Sequence, residues 1–256
     1  MPISHGILPD VQAKPGLDFD HLRWAGEYFA DKRPDVLVCI GDFADMPSLS
    51  QYDVGRKSFE GRTYKDDISA SIEAMETFMA PIQREQTRRL IGKRKQWNPR
   101  MILTLGNHEQ RINTAIDLDR KLDGLISIDD LRYKDFGWEV YPFLEVVMAD
   151  EIAYSHYFCS GVMGRPVSSA RTLVSKKHQS CVMGHIQSTE ISMTERRADG
   201  TPLIGLFAGV YNQHEESYLN PQTNQYHRQI WYNTQVERGG FYPMGVSIEF
   251  LRGKYA

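Results

Sequence analysis

Five stretches of this chain share one context: a side chain able to bind a metal ion stands just past a short apolar run. They are Asp10 in Pro9-Asp10-Val11-Gln12, Asp42 in Gly41-Asp42-Phe43-Ala44-Asp45, and Asn107 in Gly106-Asn107-His108-Glu109. His156 in Tyr154-Ser155-His156 and His185 in Gly184-His185-Ile186-Gln187 complete the series. Carboxylate, amide and imidazole donors together suit Mn²⁺, Fe or Zn²⁺. Two such ions held about 3.5–4 Å apart can neutralise a phosphoester's anionic oxygens and turn a bound water into a nucleophile. In open α/β sheets ligands gather at the carboxyl ends of strands, and a glycine before the ligand lets the backbone turn sharply there.

For these segments to meet, the apolar runs before them must be strands. Val36–Ile40 and Met101–Leu105 are continuous apolar runs of strand length, the pattern of strands covered on both faces. Ile3–Pro9, Ile152–Ser155 and Ser180–Met183 read as further strands, with another near Leu144–Met148. Helices are expected over Leu17–Arg33, after Gln110, and over Ser168–Lys177. Residues 46–65 show no period and read as a loop. The spacing Ile68, Ile72, Met75, Met79, Ile82 predicts a helix from about Asp66 to Lys95, kinked or broken at Pro81. Asp199-Gly200 predicts a hairpin turn between Ile191–Arg196 and Leu203–Ala208. The region from Tyr211 to Tyr242 is rich in Tyr, Asn, Gln and His, and Val246–Leu251 alternates as a last strand.

The bulk composition fits one large α/β domain over 1–256, with a helical insertion at about 46–100 and an aromatic, polar region at about 210–245. Hydrophobic residues make up 41% and charged residues 25%, which excludes a disordered or fibrous chain. A net charge of −3 gives no global pull toward nucleic acid or membrane, so polyanion binding requires a local basic patch. Cys39 and Cys181 sit in apolar runs and read as buried thiols, and Cys159 has no C-x-x-C partner. No apolar stretch approaches the ~20 residues that span a bilayer. The start of the chain lacks a signal-peptide pattern, so a cytoplasmic protein, with no membrane partner, is expected.

In order along the chain, G-D-x-x-D, G-N-H-E, a lone histidine after a strand, and G-H-x-Q resemble the calcineurin-like metallophosphoesterase family over about residues 7 to 190. The resemblance implies a four-layer α/β sandwich, two mixed β-sheets packed face to face with helices outside. It implies two divalent metal ions bridged by Asp42. Asn107, His156 and His185 would complete one site, and Asp10 with Gln12 and Gln187 the other. His108 would stay off the metals beside the leaving-group oxygen, with Asp45 holding its ring. A metal-held hydroxide would attack in line, and Arg111 would meet a phosphate oxygen. The family pattern has histidine at positions 12 and 187. Glutamine at both leaves one site with oxygen donors only, which favours Mn²⁺ or Mg²⁺ and weakens binding. This variant, with its helical insertion, also resembles phosphoesterases carried by bacteriophages, which would place the protein in a host cytoplasm.

Each residue also has a plainer reading. Asn107 or Asp45 could cap a helix, His156 could be a core histidine, and Gln12 and Gln187 could sit behind the ligands. The stretch Arg84 to Arg100 carries seven basic residues against Glu85 alone. It matches either a phosphate-backbone footprint, with Trp97 stacking on a base, or a solvated helix end that complements the dipole. Tyr211, Tyr218, Tyr226, Trp231 and Tyr232 could stack bases, form a dimer surface, or pack as an irregular loop. The leading expectation is a phosphodiesterase acting on nucleic acid. The alternatives are a phosphatase or phosphodiesterase for small nucleotides or phosphoproteins, and a non-catalytic protein holding one metal.

Overall fold

The computed structural model describes residues 3–213 and 226–256. Two sheets form the centre. The first has six strands in the order β11-β10-β1-β2-β3-β4, and the second has five in the order β5-β6-β7-β9-β8. In the first sheet β1 (Ile3–Leu8), β2 (Val36–Cys39), β3 (Arg100–Thr104) and β4 (Glu139–Tyr141) run parallel. In the second, β6 (Ile152–Tyr154), β7 (Ser180–Met183) and β9 (Pro202–Phe207) do the same. Short β5 (Val147–Ala149) and β8 (Glu190–Arg196) flank them antiparallel.

The period-two geometry of strands produces the layers. Along β2, Val36, Val38 and Ile40 face the second sheet and pack with Ile152, Tyr154, Val182 and Leu206. Leu37 and Cys39 face the other way, into the core that α1 (Asp20–Lys32), α2 (Tyr64–Ile91) and α3 (Gln110–Leu118) share, with Leu22, Phe29, Phe78, Ile82 and Ile112. Cys181, Met183 and Phe207 turn outward to α4 (Ala170–Lys177), against Ala170 and Leu173. Helix, sheet, sheet, helix is the expected four-layer sandwich. A continuous apolar run signals this, because both faces of each central strand are dry, and each fully buried aliphatic side chain contributes about 1.5–3 kcal/mol.

Several local expectations need correction. The first helix begins at Asp20, three residues later than its apolar pattern suggested. Pro81 does not break α2, which runs unbroken from Tyr64 to Ile91. Pro81 is buried against α1 at Gly26, where any side chain would collide with the Phe78 carbonyl, and this close helix contact holds the chain through the proline. The loop expected over 46–65 is there, and within it residues 47–59 form three short 3₁₀ turns. The polar region after Tyr211 is not a loop throughout: β10 (Gln229–Glu237) and β11 (Gly240–Ser247) pair antiparallel, and β10 joins β1. Tyr211 and Trp231 are buried, donating to the carbonyls of His21 and Ala208 at 2.9 Å each, so neither can stack on a base. Tyr218 lies outside the described residues. Of Val246–Leu251 only Val246 and Ser247 are strand, as the end of β11. The Ser247 side chain accepts from the Phe250 N–H and starts α5 (Ile248–Tyr255) there.

Candidate metal centre and active site

Each residue singled out at a strand end stands past a carboxyl end in the sandwich. Asp10 follows β1, Asp42 follows β2, Asn107 and His108 follow β3, His156 follows β6, and His185 follows β7. The turns that aim them inward are tight. Asp42 has φ 49° and His185 has φ 63°, a left-handed backbone that L residues rarely adopt. Gly106 must be glycine because a Cβ there would collide with the Asp42 carboxylate, and Gly184 stands the same way toward Asp10. Glu109 anchors this geometry. Fully buried, it accepts the N–H groups of Asp42 (3.1 Å), Ala44 (2.9 Å) and Gly106 (2.9 Å). It ties the second and third motifs together as a backbone clamp.

Asp42, Asn107, His156 and His185 converge. His156 Nδ1 lies 2.9 Å from the Ile40 carbonyl, which can only accept, so Nδ1 carries the proton and Nε2 faces the centre. That Nε2 is 3.0 Å from Asn107 Oδ1 and 3.4 Å from an Asp42 carboxylate oxygen. His185 Nδ1 is 2.8 Å from the same Asn107 oxygen. Ligand atoms of Asp42, His156 and His185 all lie within 4.8 Å of one another. With His156 Nε2 deprotonated, Asp42, Asn107 Oδ1 and His156 all turn acceptors to this point. His185 Nδ1 joins them in the tautomer protonated at Nε2, an arrangement that a cation can fill. Their chemistry, two nitrogens and two oxygens, fits Mn²⁺, Fe or Zn²⁺.

The electrostatics agree. Burial favours neutral His156, but Asp42, Asp10 and the Ile40 carbonyl outweigh it and hold its pKa up at about 9. His185 is pushed down to about 4 by burial and by neighbouring His156. Burial opposes ionisation of Asp42, yet His108 and His156 hold its carboxyl well below the usual range. Asp10 goes the other way: burial, with Asp42 adding to it, raises its carboxyl well above the usual range.

Asp10 and Gln12 follow β1 and lie beside Asp42 through their backbone. Both are buried, and the Val11 and Gln12 N–H groups bond the Asp42 carbonyl at 3.1 and 2.8 Å. The Asp10 carboxylate accepts the His185 N–H at 3.1 Å. The Gln12 amide oxygen receives Asn212 Nδ2 at 3.4 Å. Gln187 is half-buried on the His185 turn, and its backbone oxygen packs toward Gly209.

Beside the cluster stands a second device. His108 Nδ1 is 2.7 Å from an Asp45 carboxylate oxygen, and its Nε2 is 3.7 Å from Asp42. Burial opposes protonation, but Asp42 and Asp45 together raise His108 to about 9. Asp45 is in turn held well below the usual range against burial by His108, Lys14 and Arg111. Arg111 donates to the Asp45 carbonyl at 2.7 Å and lies 3.5 Å from His108 Nε2, so it braces the pair as well as facing the cleft.

Sequence reasoning missed Lys14, 3.4 Å from Asp45, and Tyr157, whose ring packs 4.7 Å from His185. It also missed Asn212, which stands five residues past β9 and donates to the Gln12 amide oxygen. Trp97 is corrected too: it is buried and donates to the Pro34 carbonyl at 2.7 Å, so it cannot stack on a base. The basic stretch around it leads into the amino end of β3, where Arg100 N–H bonds the Asp35 carbonyl, whereas the site lies beyond the carboxyl ends. Only the start of α2 borders the site.

A cavity of about 640 Å³ opens on the His108 side. Its walls are Lys14, Asp45, Asn107, His108 and Arg111, the turns from Pro47 to Gly61, and the first residues of α2.

No known protein family matches the sequence, and no curated protein does either. Among solved structures the chain is similar to Yfce, a phosphoesterase from E. coli, at 11% identity, covering 96% of this chain and 100% of that one with a TM-score of 0.37. That superposition is too loose to bear on activity, which must be judged from the geometry of the site itself.

Proposed function

We propose that this protein is a metal-dependent phosphoester hydrolase. The observation that supports it is the convergence of Asp42, Asn107, His156 and His185 on one point, with the His108–Asp45 pair alongside. When bound, a divalent cation, Mn²⁺ by our assignment, supplies neutralisation of phosphoryl charge and acidification of water. The chain's own groups do the rest. Asp45 fixes the His108 ring through Nδ1, leaving Nε2 turned to the cleft to give a proton to a departing alkoxide. Arg111 and Lys14 place positive charge at the same mouth and hold Asp45 in its ionised form. Asp42 and Asp10 supply the negative charge that two cations require, and Gln12 and Gln187 make the second position the weaker one.

The cavity beside His108 receives the leaving group in this reading. Its size suits a small organic group. Its arginines already engage carboxylates, Arg56 and Arg62 both pairing with Asp53. A small phosphoester such as a nucleotide is therefore the favoured substrate. Nucleic acid is the second reading, supported by the positive charge of Lys14 and Arg111 at the mouth of the cleft. The test is direct. Metal-stripped protein is given Mn²⁺, Mg²⁺ or Zn²⁺ and assayed on a chromogenic phosphodiester, a phosphomonoester, nucleotides, and labelled single- and double-stranded DNA. Turnover that needs metal and is lost in Asp42→Ala supports the hydrolase, and the preferred substrate decides its class. No turnover with any cation, while one ion still binds, would establish a non-catalytic metal protein instead.

A further inference from the structure

The basic segment that the site does not absorb has an unusual setting. Ile82 is the last buried residue of α2, and the helix continues to Ile91 with none of residues 83–91 buried. Those nine residues span about 13 Å of helix, at about 1.5 Å each, with Arg84 and Glu85 still paired to Glu27 and Arg33 at α1 and the exposed tip beyond them. Within this stretch the side chains sort into two kinds. Arg84 and Arg88 are mostly exposed, and Lys93, Arg94 and Lys95 follow in the exposed turn. Among them Leu90 and Ile91 are 65% and 77% exposed. Glu85 and Glu27 are the acids set against this group: Glu85 takes Arg33, Arg88 and Arg89, and Glu27 takes Arg84. The helix dipole accounts for cations in the last turn. It accounts neither for two adjacent aliphatic side chains in water nor for the three cations past the helix end.

We propose that the tip formed by residues 84–95 docks this protein on an anionic lipid surface, with Leu90 and Ile91 entering the headgroup region and the surrounding lysines and arginines pairing with lipid phosphates. Basic residues flanking exposed apolar ones on a helix are the pattern that binds such interfaces. A nucleic-acid backbone would use the cations but has no use for Leu90 and Ile91, and buried Trp97 offers no stacking surface. The tip also lies at the amino ends of the parallel strands, opposite the cleft, so a substrate bound there would be far from His108. Docked this way, the cleft faces the aqueous phase.

Sedimentation of the full chain with phosphatidylcholine vesicles, with and without phosphatidylglycerol, tests this. Binding is expected only with the anionic lipid, weakened by high salt. It is expected to fall by at least about tenfold both in Lys93→Glu/Arg94→Glu/Lys95→Glu and in Leu90→Ser/Ile91→Ser. All five side chains are exposed, and an unchanged melting temperature verifies that each variant folds. No binding to anionic vesicles overturns the proposal. So does tighter binding to single-stranded DNA that Leu90→Ser/Ile91→Ser leaves intact, because it assigns the tip to a polyanion. None of these readouts depends on hydrolase activity.

Discussion

The centre at the strand ends has two halves built on one backbone plan and furnished differently. One half holds Asn107, His156 and His185 with Asp42, and their donor atoms face each other within hydrogen-bonding distance. The other is the half proposed for Asp10, Gln12 and Gln187, and in the structure two of these have other work. The Asp10 carboxylate receives the His185 N–H, and the Gln12 oxygen receives Asn212. Imidazole can be locked from behind, as Ile40 locks His156, and still present a lone pair. A primary amide has a weaker donor oxygen and is readily satisfied by neighbouring side chains. The contrast teaches that ligand position is set by the sheet, while ligand strength is set by side-chain type.

The most severe break of this comparison is Asp42→Ala, which removes the carboxylate that both halves need. Activity should fall on the order of 10³-fold or more, with metal binding lost, as read by turnover and by metal analysis after desalting. His108→Asn should follow, with kcat lower by about 10²–10⁴-fold. Metal content should stay bound in that variant, which separates proton transfer from metal holding. Next come the ligands themselves. His156→Ala or His185→Ala should weaken the first metal by more than about 100-fold, beyond the effect of losing a group behind the ligands. Gln12→Ala or Gln187→Ala should cost less than about tenfold by titration calorimetry, and equal losses in the two halves would erase the distinction drawn here. Replacing both glutamines, Gln12→His with Gln187→His, should tighten the second position and raise the bound metal toward two ions per chain.

The smallest effect concerns a histidine that does not converge. His5 is buried between the sheets, with Tyr154 OH at 2.6 Å and Asp150 at 2.9 Å on its two nitrogens. Burial lowers its pKa from 6.5, against the opposing pull of Asp150. Below 6.5 the unfolded chain therefore binds protons that the folded chain refuses. The stability from neutral His5 is complete above 6.5, declines as the pH falls from there toward its folded value, and levels off below it. His5→Asn should flatten that acid-side slope in urea melts taken with and without Mn²⁺. A slope that changes only when metal is present would instead link His5 to the centre.

Much of the site was legible because strand, glycine and ligand follow one another directly in the chain. Gly41-Asp42 and Gly106-Asn107 announce a strand end and a turn at once. Less legible were groups that act at a distance. The role of Glu109 as a clamp on three backbone N–H groups depends on two loops meeting, and the link between Lys14 and Asp45 crosses thirty residues. Pro81 misled because a local rule was outweighed by helix packing at Gly26, and Trp97 misled because a large aromatic beside basic residues is equally suited to a core.

By itself the sequence determined which strands would be dry on both faces, since unbroken apolar runs cannot be stable with one face in water, and hence where ligand-bearing turns would fall. It also determined the oxygen-only character of positions 10, 12 and 187, which is a matter of residue type. Tertiary structure alone decided that four of those turns share a point, which tautomer His156 adopts, and that the basic end of α2 stands opposite the cleft. The reason is physical: hydrophobic pattern is local along the chain, while convergence and tautomer depend on contacts between segments 49 to 116 residues apart.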